Sequence, residues 1–273
     1  MKKFIVFTDL DGTLLDAKTY SFEPALPAIK LLKEKEIPLI ICSSKTRKEI
    51  EYYRRKLDNH DPFISENGGG IFIPKGYFQL PIQSSQFSVI DEDNYHVIRL
   101  GASYLELRRA LLKLRAEGYN VKGFGDMTVE EVIKFTNLSI EEAEMAKERD
   151  FDEPFIFSGN EEELQRLFKS IKAMGFNYTQ GRFFHILGNS DKGKAVSILI
   201  ELYKRRFEEV ITVAIGDSLN DIPMLERADY PVLVKKSDGT YEKLISINGL
   251  IRVDGTGSEG WNRAIFYLSN LLK

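Results

Sequence analysis

The stretch "FIVFTDLDGT", Phe4 to Thr13, drives an apolar run into two aspartates, Asp9 and Asp11, with one leucine between them. The run reads as a buried strand: short, continuous and closed by a turn signal. At an extended strand end, side chains two positions apart point the same way, so Asp9 and Asp11 can address one bound group. Taken alone, "DLDGT" is also compatible with a plain Asp-Gly turn. The residues further along the chain decide between the two.

Beyond that strand, "PALPAIKLLKEKEI" predicts a helix from near Pro24, "PLIICS" a second strand, "TRKEIEYYRRKLD" a second helix and "PFIS" a third strand. Thr46 with Glu49 three residues on is the reciprocal side-chain arrangement that satisfies free amides at a helix entrance. Strands alternating with helices imply parallel crossovers, hence an α/β, Rossmann-like doubly wound sheet. From about Phe87 the pattern changes. "FSVIDED" and "YHVIRLG" read as sheet, "YLELRRALLKLRAEG" as helix, "YNVKGFGD" as strand, then two helices capped by Thr128/Glu131 and Ser139/Glu142. "PFIFSG" follows as a strand, a helix stops at Gly175, and "NYTQGRFFHILG" predicts a hairpin. After "NSDKGKAVSILIELYKRRF" the first pattern returns with "EVITVAIGD", "YPVLVKK", "LIRVDG" and a closing helix over 261–272. The expectation is a discontinuous core, 1–84 plus 189–273, carrying an inserted α+β module, 85–188.

Composition narrows the function classes. The 273 residues exceed one average domain, 43% are hydrophobic, and 38 Lys plus Arg against 41 acids give a formal charge of -3. No basic footprint for nucleic acid appears, and no apolar run is long enough to span a membrane. The one cysteine, Cys42, reads as a buried free thiol, which fits a cytoplasmic location. His60 and His96 lack companions at zinc-like spacing.

In open parallel sheets ligands sit beyond the carboxyl ends of the strands. Four polar clusters lie there: Asp9, Asp11 and Thr13; Ser43, Ser44 and Lys45; Glu66, Asn67 and Gly68; and "GDSLND", Gly216 to Asp221. With Lys192 of "SDKGK", their order and spacing resemble the haloacid dehalogenase-like (HAD) phosphohydrolases, and the position of the insert resembles the C2-type cap of the Cof-like branch. That resemblance implies roles. Asp9 would attack phosphorus, and Asp11 would protonate the leaving alcohol and then activate water. Ser43 and Lys192 would neutralise the phosphoryl group. Mg²⁺ would be held by Asp9, the Asp11 carbonyl and Asp217, with Asp221 behind them.

A narrower resemblance spans most of the chain. "CSSKTRKEI", "ENGGGIFIP", "GFGDMTVEEV", "EEAEMAKERDFDEPFIF", "QGRFFHILG" and "GSEGW" are similar to the mannosyl-3-phosphoglycerate phosphatase family. It implies a small phosphorylated glycosyl-glycerate as substrate, and a glucosyl counterpart, another sugar phosphate or a phosphomutase reaction as the alternatives. Candidate substrate contacts are Ser44, Lys45, Asn67, Gln180, Gly181 and Arg182. Lys45 is equally compatible with a helix-entry lysine facing water. The three glycines after Asn67 suit a loop that approaches a ligand or forms a hinge. His185 reads first as a structural hydrogen-bonding residue, and Asp126 is open between a sugar contact and an ordinary loop acid.

Overall fold

The computed structural model describes residues 2–78 and 89–269. Strands β1 (Lys2–Thr8), β2 (Leu39–Cys42), β3 (Phe63–Ser65), β4 (Gly70–Pro74), β5 (Val89–Glu92) and β6 (Tyr95–Arg99) precede β7 (Val121–Gly123), β8 (Asp152–Phe157), β9 (Asn177–Gln180) and β10 (Phe184–Leu187). Then come β11 (Glu209–Gly216), β12 (Tyr230–Lys235) and β13 (Ile251–Thr256). The helices are α1 (Leu26–Glu34), α2 (Arg47–Leu57), α3 (Tyr104–Ala116), α4 (Val129–Thr136), α5 (Ile140–Lys147), α6 (Glu161–Ala173), α7 (Lys192–Lys204), α8 (Ile222–Leu225) and α9 (Gly257–Leu268).

Two sheets result. A nine-stranded one runs β13-β12-β11-β1-β2-β3-β4-β6-β5, and a four-stranded one runs β7-β8-β10-β9. From β13 to β3 the larger sheet is parallel, and β4, β6 and β5 close it antiparallel. The period-two alternation of β1 sends Val6 to a core with α1, α2 and α9, and Ile5 and Phe7 to a core with α7 and α8. Helices therefore cover both faces, as the alternating pattern predicts. Strand β1 is flanked by β2 and β11, so the chain leaves it in both directions and opens a crevice at its carboxyl end.

Residues 89–99, read from the sequence as part of the insert, pair with the larger sheet. Strands β5 and β6 hydrogen-bond onto β4 and belong to the large sheet, whereas the strands of the separate sheet span 121–187. Local β-propensity identified these strands, but their pairing partner is a tertiary matter. The expected 84/85 boundary itself lies outside the described residues, as do Phe87 and Ser88 of "FSVIDED" and the last turn expected for the closing helix. That helix begins at Gly257, four residues before Trp261.

In the smaller unit α3 and α6 pack on one face of the sheet through Leu107, Leu111, Leu167, Ile171, Phe155 and Ile186. Helices α4 and α5, each with the capping box read from the sequence, form a separate cluster with Phe124 and Met127. The other sheet face turns toward the carboxyl end of β1.

Candidate active site

A cavity of about 820 Å³ lies between the two units, with Asp9, Asp11 and Asp217 on its floor and Gln180, Gly181 and Arg182 on its roof. The floor is assembled by strand ends. Asp9 follows β1 directly, and Asp217 follows β11, the neighbouring parallel strand. Gly12, at φ +82, makes their closeness possible, because a Cβ there would stand 2.8 Å from Asp217 Oδ2.

Lys192, the first residue of α7, is fully enclosed and donates to Asp9 Oδ1 and to Asp221 Oδ1, both at 2.7 Å. Asp221 in turn accepts from the backbone amides of Asp217 (3.0 Å) and Ser218 (3.1 Å), which fixes the acidic loop. Thr13 donates to Asp217 Oδ1 at 3.3 Å.

Charge on the floor is not balanced. Oxygens of Asp9, Asp217 and Asp221 converge within 4.8 Å of one another around one lysine. Burial above all, with Asp221 and Asp11 adding to it, pushes Asp9 up to about 7 despite Lys192. Burial followed by the charges of Asp221 and Asp9 holds Asp217 well above the usual carboxylate range. Asp11 is raised by burial although Lys45 Nζ stands 3.3 Å from its Oδ2, and its Oδ1 is buried without a hydrogen-bond partner among the described residues.

This donor set suits a hard divalent cation. Carboxylate oxygens from two strand ends meet there, and the Asp11 carbonyl accepts no backbone hydrogen bond among the described residues. A cation would also relieve the crowding that lifts these carboxyls.

The family is then recognisable from outside the site as well. The model of the haloacid dehalogenase-like hydrolases matches residues 6–243. The chain belongs to that family. The hydrolase is 49% identical over 268 residues, 97% of each chain, to a glucosyl-3-phosphoglycerate/mannosyl-3-phosphoglycerate phosphatase of Methanococcoides burtonii. It is 42% identical over 84% of its own length and 90% of the relative's to a mannosyl-3-phosphoglycerate phosphatase of Pyrococcus furiosus. A solved structure from Thermoplasma acidophilum superposes with a TM-score of 0.70 at 17% identity, covering 100% of both chains, and shares the fold. The hydrolase is a phosphatase of this family, an α/β core carrying a cap.

The remaining sequence candidates divide into those that reach the cavity and those that do not. Ser44 and Lys45 line it; Ser43 does not, and its Oγ accepts the Lys45 N–H at 3.2 Å. Lys45 does not face water. It is buried, donates to Glu49 Oε1 at 2.9 Å and lies over the Tyr20 ring. Burial lowers its pKa, but Asp11 and Glu49 together hold it well above the usual lysine value.

Asn67 is not placed against the cavity. Its amide nitrogen donates to Asp152 Oδ2 (2.8 Å) and its oxygen accepts from Asn220 (3.0 Å), so both ends have protein partners. The glycines beside it approach protein rather than ligand: a Cβ on Gly68, at φ +90, would meet the Asp191 carbonyl at 2.1 Å. Glu66 accepts the backbone amides of Asp150, Phe151 and Asp152 at 2.8 to 3.0 Å, joining core to cap, and burial pushes it up to about 8 against the pull of Arg149.

On the cap, Arg182 donates to the carbonyls of Thr136 (2.9 Å) and Phe135 (2.8 Å) and to the Tyr20 hydroxyl (3.2 Å). Asp126 is a loop acid. It binds Arg108, Arg115 and the Gly123 amide, and although burial raises it, Arg108 and that amide bring it down to about 2.

Sequence reasoning passed over Tyr20, Arg149, Asp152 and the cavity-lining Lys236, Ser237 and Glu242. Arg149 and Asp152 sit in "KERDFDEP", a charge run that ordinarily marks a solvated surface. The signal that separates them is the apolar "PFIF", Pro154 to Phe157, which continues the strand that Asp152 opens.

Proposed function

We propose that this hydrolase removes phosphate from mannosyl-3-phosphoglycerate, giving mannosylglycerate and inorganic phosphate, with Mg²⁺ as cofactor and the glucosyl compound as a second substrate. The observation that carries the phosphate chemistry is Asp9. Lys192 holds one carboxylate oxygen, and the other has no protein donor among the described residues at the floor of the cavity. The sugar and glycerate parts of the proposal are supported by the names of the relatives, and the second substrate by the double name of the one at 49% identity.

In this reading an Asp9 oxygen attacks phosphorus while the ester P–O bond breaks, and the departing alkoxide takes the proton from Asp11. Water then gives a proton to the Asp11 carboxylate and attacks the aspartyl-phosphate, which releases phosphate and restores Asp9. The raised pKa of Asp11 suits the donor role, because the group then carries a proton nearer neutrality. Lys192 supplies positive charge to the attacking carboxylate and the phosphoryl oxygens. Ser43 Oγ accepts from the Lys45 N–H and its hydroxyl has no acceptor among the described residues, which supports assigning it as a further donor to the phosphoryl group, although it does not itself line the cavity as Ser44 and Lys45 do.

Asp9, Asp217 and the Asp11 carbonyl would hold Mg²⁺, with Asp221 fixing the loop behind them. When bound, the ion supplies charge to the phosphoryl oxygens that a carboxylate nucleophile would otherwise repel. Arg182 has no carboxylate partner among the described residues, and this leaves a net positive charge on the roof for the glycerate carboxylate, with Gln180, Gly181, Ser44 and Lys45 around it.

The test is phosphate release across a panel of mannosyl-, glucosyl- and other sugar phosphates, with Mg²⁺ and with EDTA. Efficient release from the glycosyl-3-phosphoglycerates, abolished by EDTA, is expected. Inertness toward both, with rapid hydrolysis of another sugar phosphate, would sink the substrate assignment. Phosphate that stays on the sugar and requires a bisphosphate activator would make the enzyme a mutase.

A further inference from the structure

The cap sheet presents two faces, and β10 shows how they differ. Phe184 and Ile186 point into the α3/α6 core, so by the alternation of a strand His185 points the other way, into the cavity that it lines. Its register partner on β8 is Pro154, which lines the same cavity, and Asp152 lies two residues before Pro154 on that face.

His185 Nδ1 lies 3.0 Å from Asp152 Oδ2. Asp152 is wholly buried and its carboxylate is filled with donors. Oδ1 takes Arg149 Nε at 2.7 Å, and Oδ2 takes Asn67 Nδ2 at 2.8 Å besides the imidazole. Burial raises its pKa, but the Arg149 charge, His185 and these bonds outweigh it and keep the group below the usual range. An ionised carboxylate only accepts, so the proton of that contact sits on Nδ1. In the neutral ring Nε2 is then an acceptor, and it has no protein donor among the described residues.

We infer that His185 reads a hydroxyl of the glycosyl ring, Nε2 accepting from that hydroxyl while Asp152 holds the ring through Nδ1. The inference rests on the glycosyl-phosphate reading above. A lone-pair acceptor repels phosphate and carboxylate oxygens and attracts a hydroxyl proton, so it belongs with the neutral part of the substrate. Its surroundings agree. Phe124, Phe183 and Pro154 line the cavity nearby, Phe124 and Phe183 with ring centroids 5.1 Å apart, and apolar rings suit the C–H face of a sugar. The acidic groups Asp9, Asp11 and Asp217 lie across the cavity on the floor, and on the roof Arg182, over the Phe183 ring, is the charged neighbour. His185 is thus a specificity residue of the roof, and Asp152 is the positioning residue behind it.

The experiment compares the full-length, Mg²⁺-loaded wild type with His185→Ala and His185→Gln. It measures kcat and KM on mannosyl-3-phosphoglycerate and the inhibition constant of 3-phosphoglycerate, which has the same phosphate and carboxylate but no ring. His185→Ala is expected to raise KM roughly 3- to 15-fold, the loss of one hydrogen bond. kcat should stay within about twofold of the wild type, since a ring contact made equally in the bound substrate and the transition state cancels from it, and the 3-phosphoglycerate constant should do the same because that compound has no ring. His185→Gln, whose amide oxygen reaches near the Nε2 position, should recover part of that loss. An unchanged KM overturns the assignment, and so does an equal rise in KM and in the inhibition constant, which would place His185 at the acidic end of the substrate. A fall in kcat alone, or equal effects of both variants with a lowered melting temperature, would reduce it to a structural residue. Wild type inert toward every glycosyl-3-phosphoglycerate would remove the parent reading and this one with it, a result distinct from an active wild type with an indifferent variant.

Discussion

Asp217 on the floor of the cavity and Asp152 at the joint beneath its roof are both buried carboxylates, yet their pKa values move in opposite directions. Asp152 is surrounded by donors from Arg149, His185 and Asn67. Among the described residues Asp217 has one weak hydroxyl donor and faces two further carboxylates. Burial penalises the ion in both places, so the difference lies in what the protein provides to offset it. A carboxylate whose charge is fully met holds the structure together. One left short, among like charges, is suited to a cation.

The largest test of this contrast is at Asp9. Asp9→Asn keeps the volume but cannot attack phosphorus, so phosphate release should fall by more than about 10³-fold while circular dichroism stays unchanged. Retained turnover would remove Asp9 from the nucleophile role. Next is Lys192→Met, which leaves Asp9 and Asp221 buried without their shared cation. Unfolding in denaturant should show a loss of about 3 to 5 kcal/mol, and kcat should drop about 10²-fold or more.

Acidity sharpens the comparison further. Asp9 and Asp217 are raised in the folded chain, so between about pH 4 and pH 7 the folded state binds more protons than the unfolded one, and stability falls as pH rises through that window. Glu66 adds to the same slope but lies outside the cation site. Lys192 is raised above an already basic value and contributes nothing to the change in this range. Mg²⁺ should therefore raise the melting temperature by several degrees at pH 8, on the order expected for a few kcal/mol, and by much less at pH 5. An equal gain at both values would dissociate the metal from these carboxyls. The smallest effect is expected where Tyr20 meets the roof: Tyr20→Phe removes the hydroxyl that donates to Thr136 O at 2.9 Å and accepts from Arg182 at 3.2 Å, and the loss of these two partly exposed hydrogen bonds should shift KM about two- to threefold, with kcat unchanged.

Much of the floor was legible in the chain because its chemistry is written at strand ends. Asp9, Asp11, Asp217 and Asp221 needed only a parallel sheet and its carboxyl edge to be brought together, whereas Lys192, at the start of α7, was indicated by the family resemblance. The joint was harder to read, for a physical reason. Glu66, Asn67 and Asp152 act through contacts between residues about 85 positions apart, and no local pattern records which partner a buried polar group finds. Asn67 looked like a ligand residue for that reason, and β5 and β6 looked like part of the insert because a strand's sequence does not name its neighbour.

Glu66 grips amide protons of Asp150, Phe151 and Asp152, not their side chains. The latch is therefore indifferent to most replacements at the first two of these positions and intolerant of one, since proline has no N–H to give. The cap's substrate-facing residues can vary while its attachment persists, so the joint separates what can be altered for a new alcohol from what must stay for the phosphate.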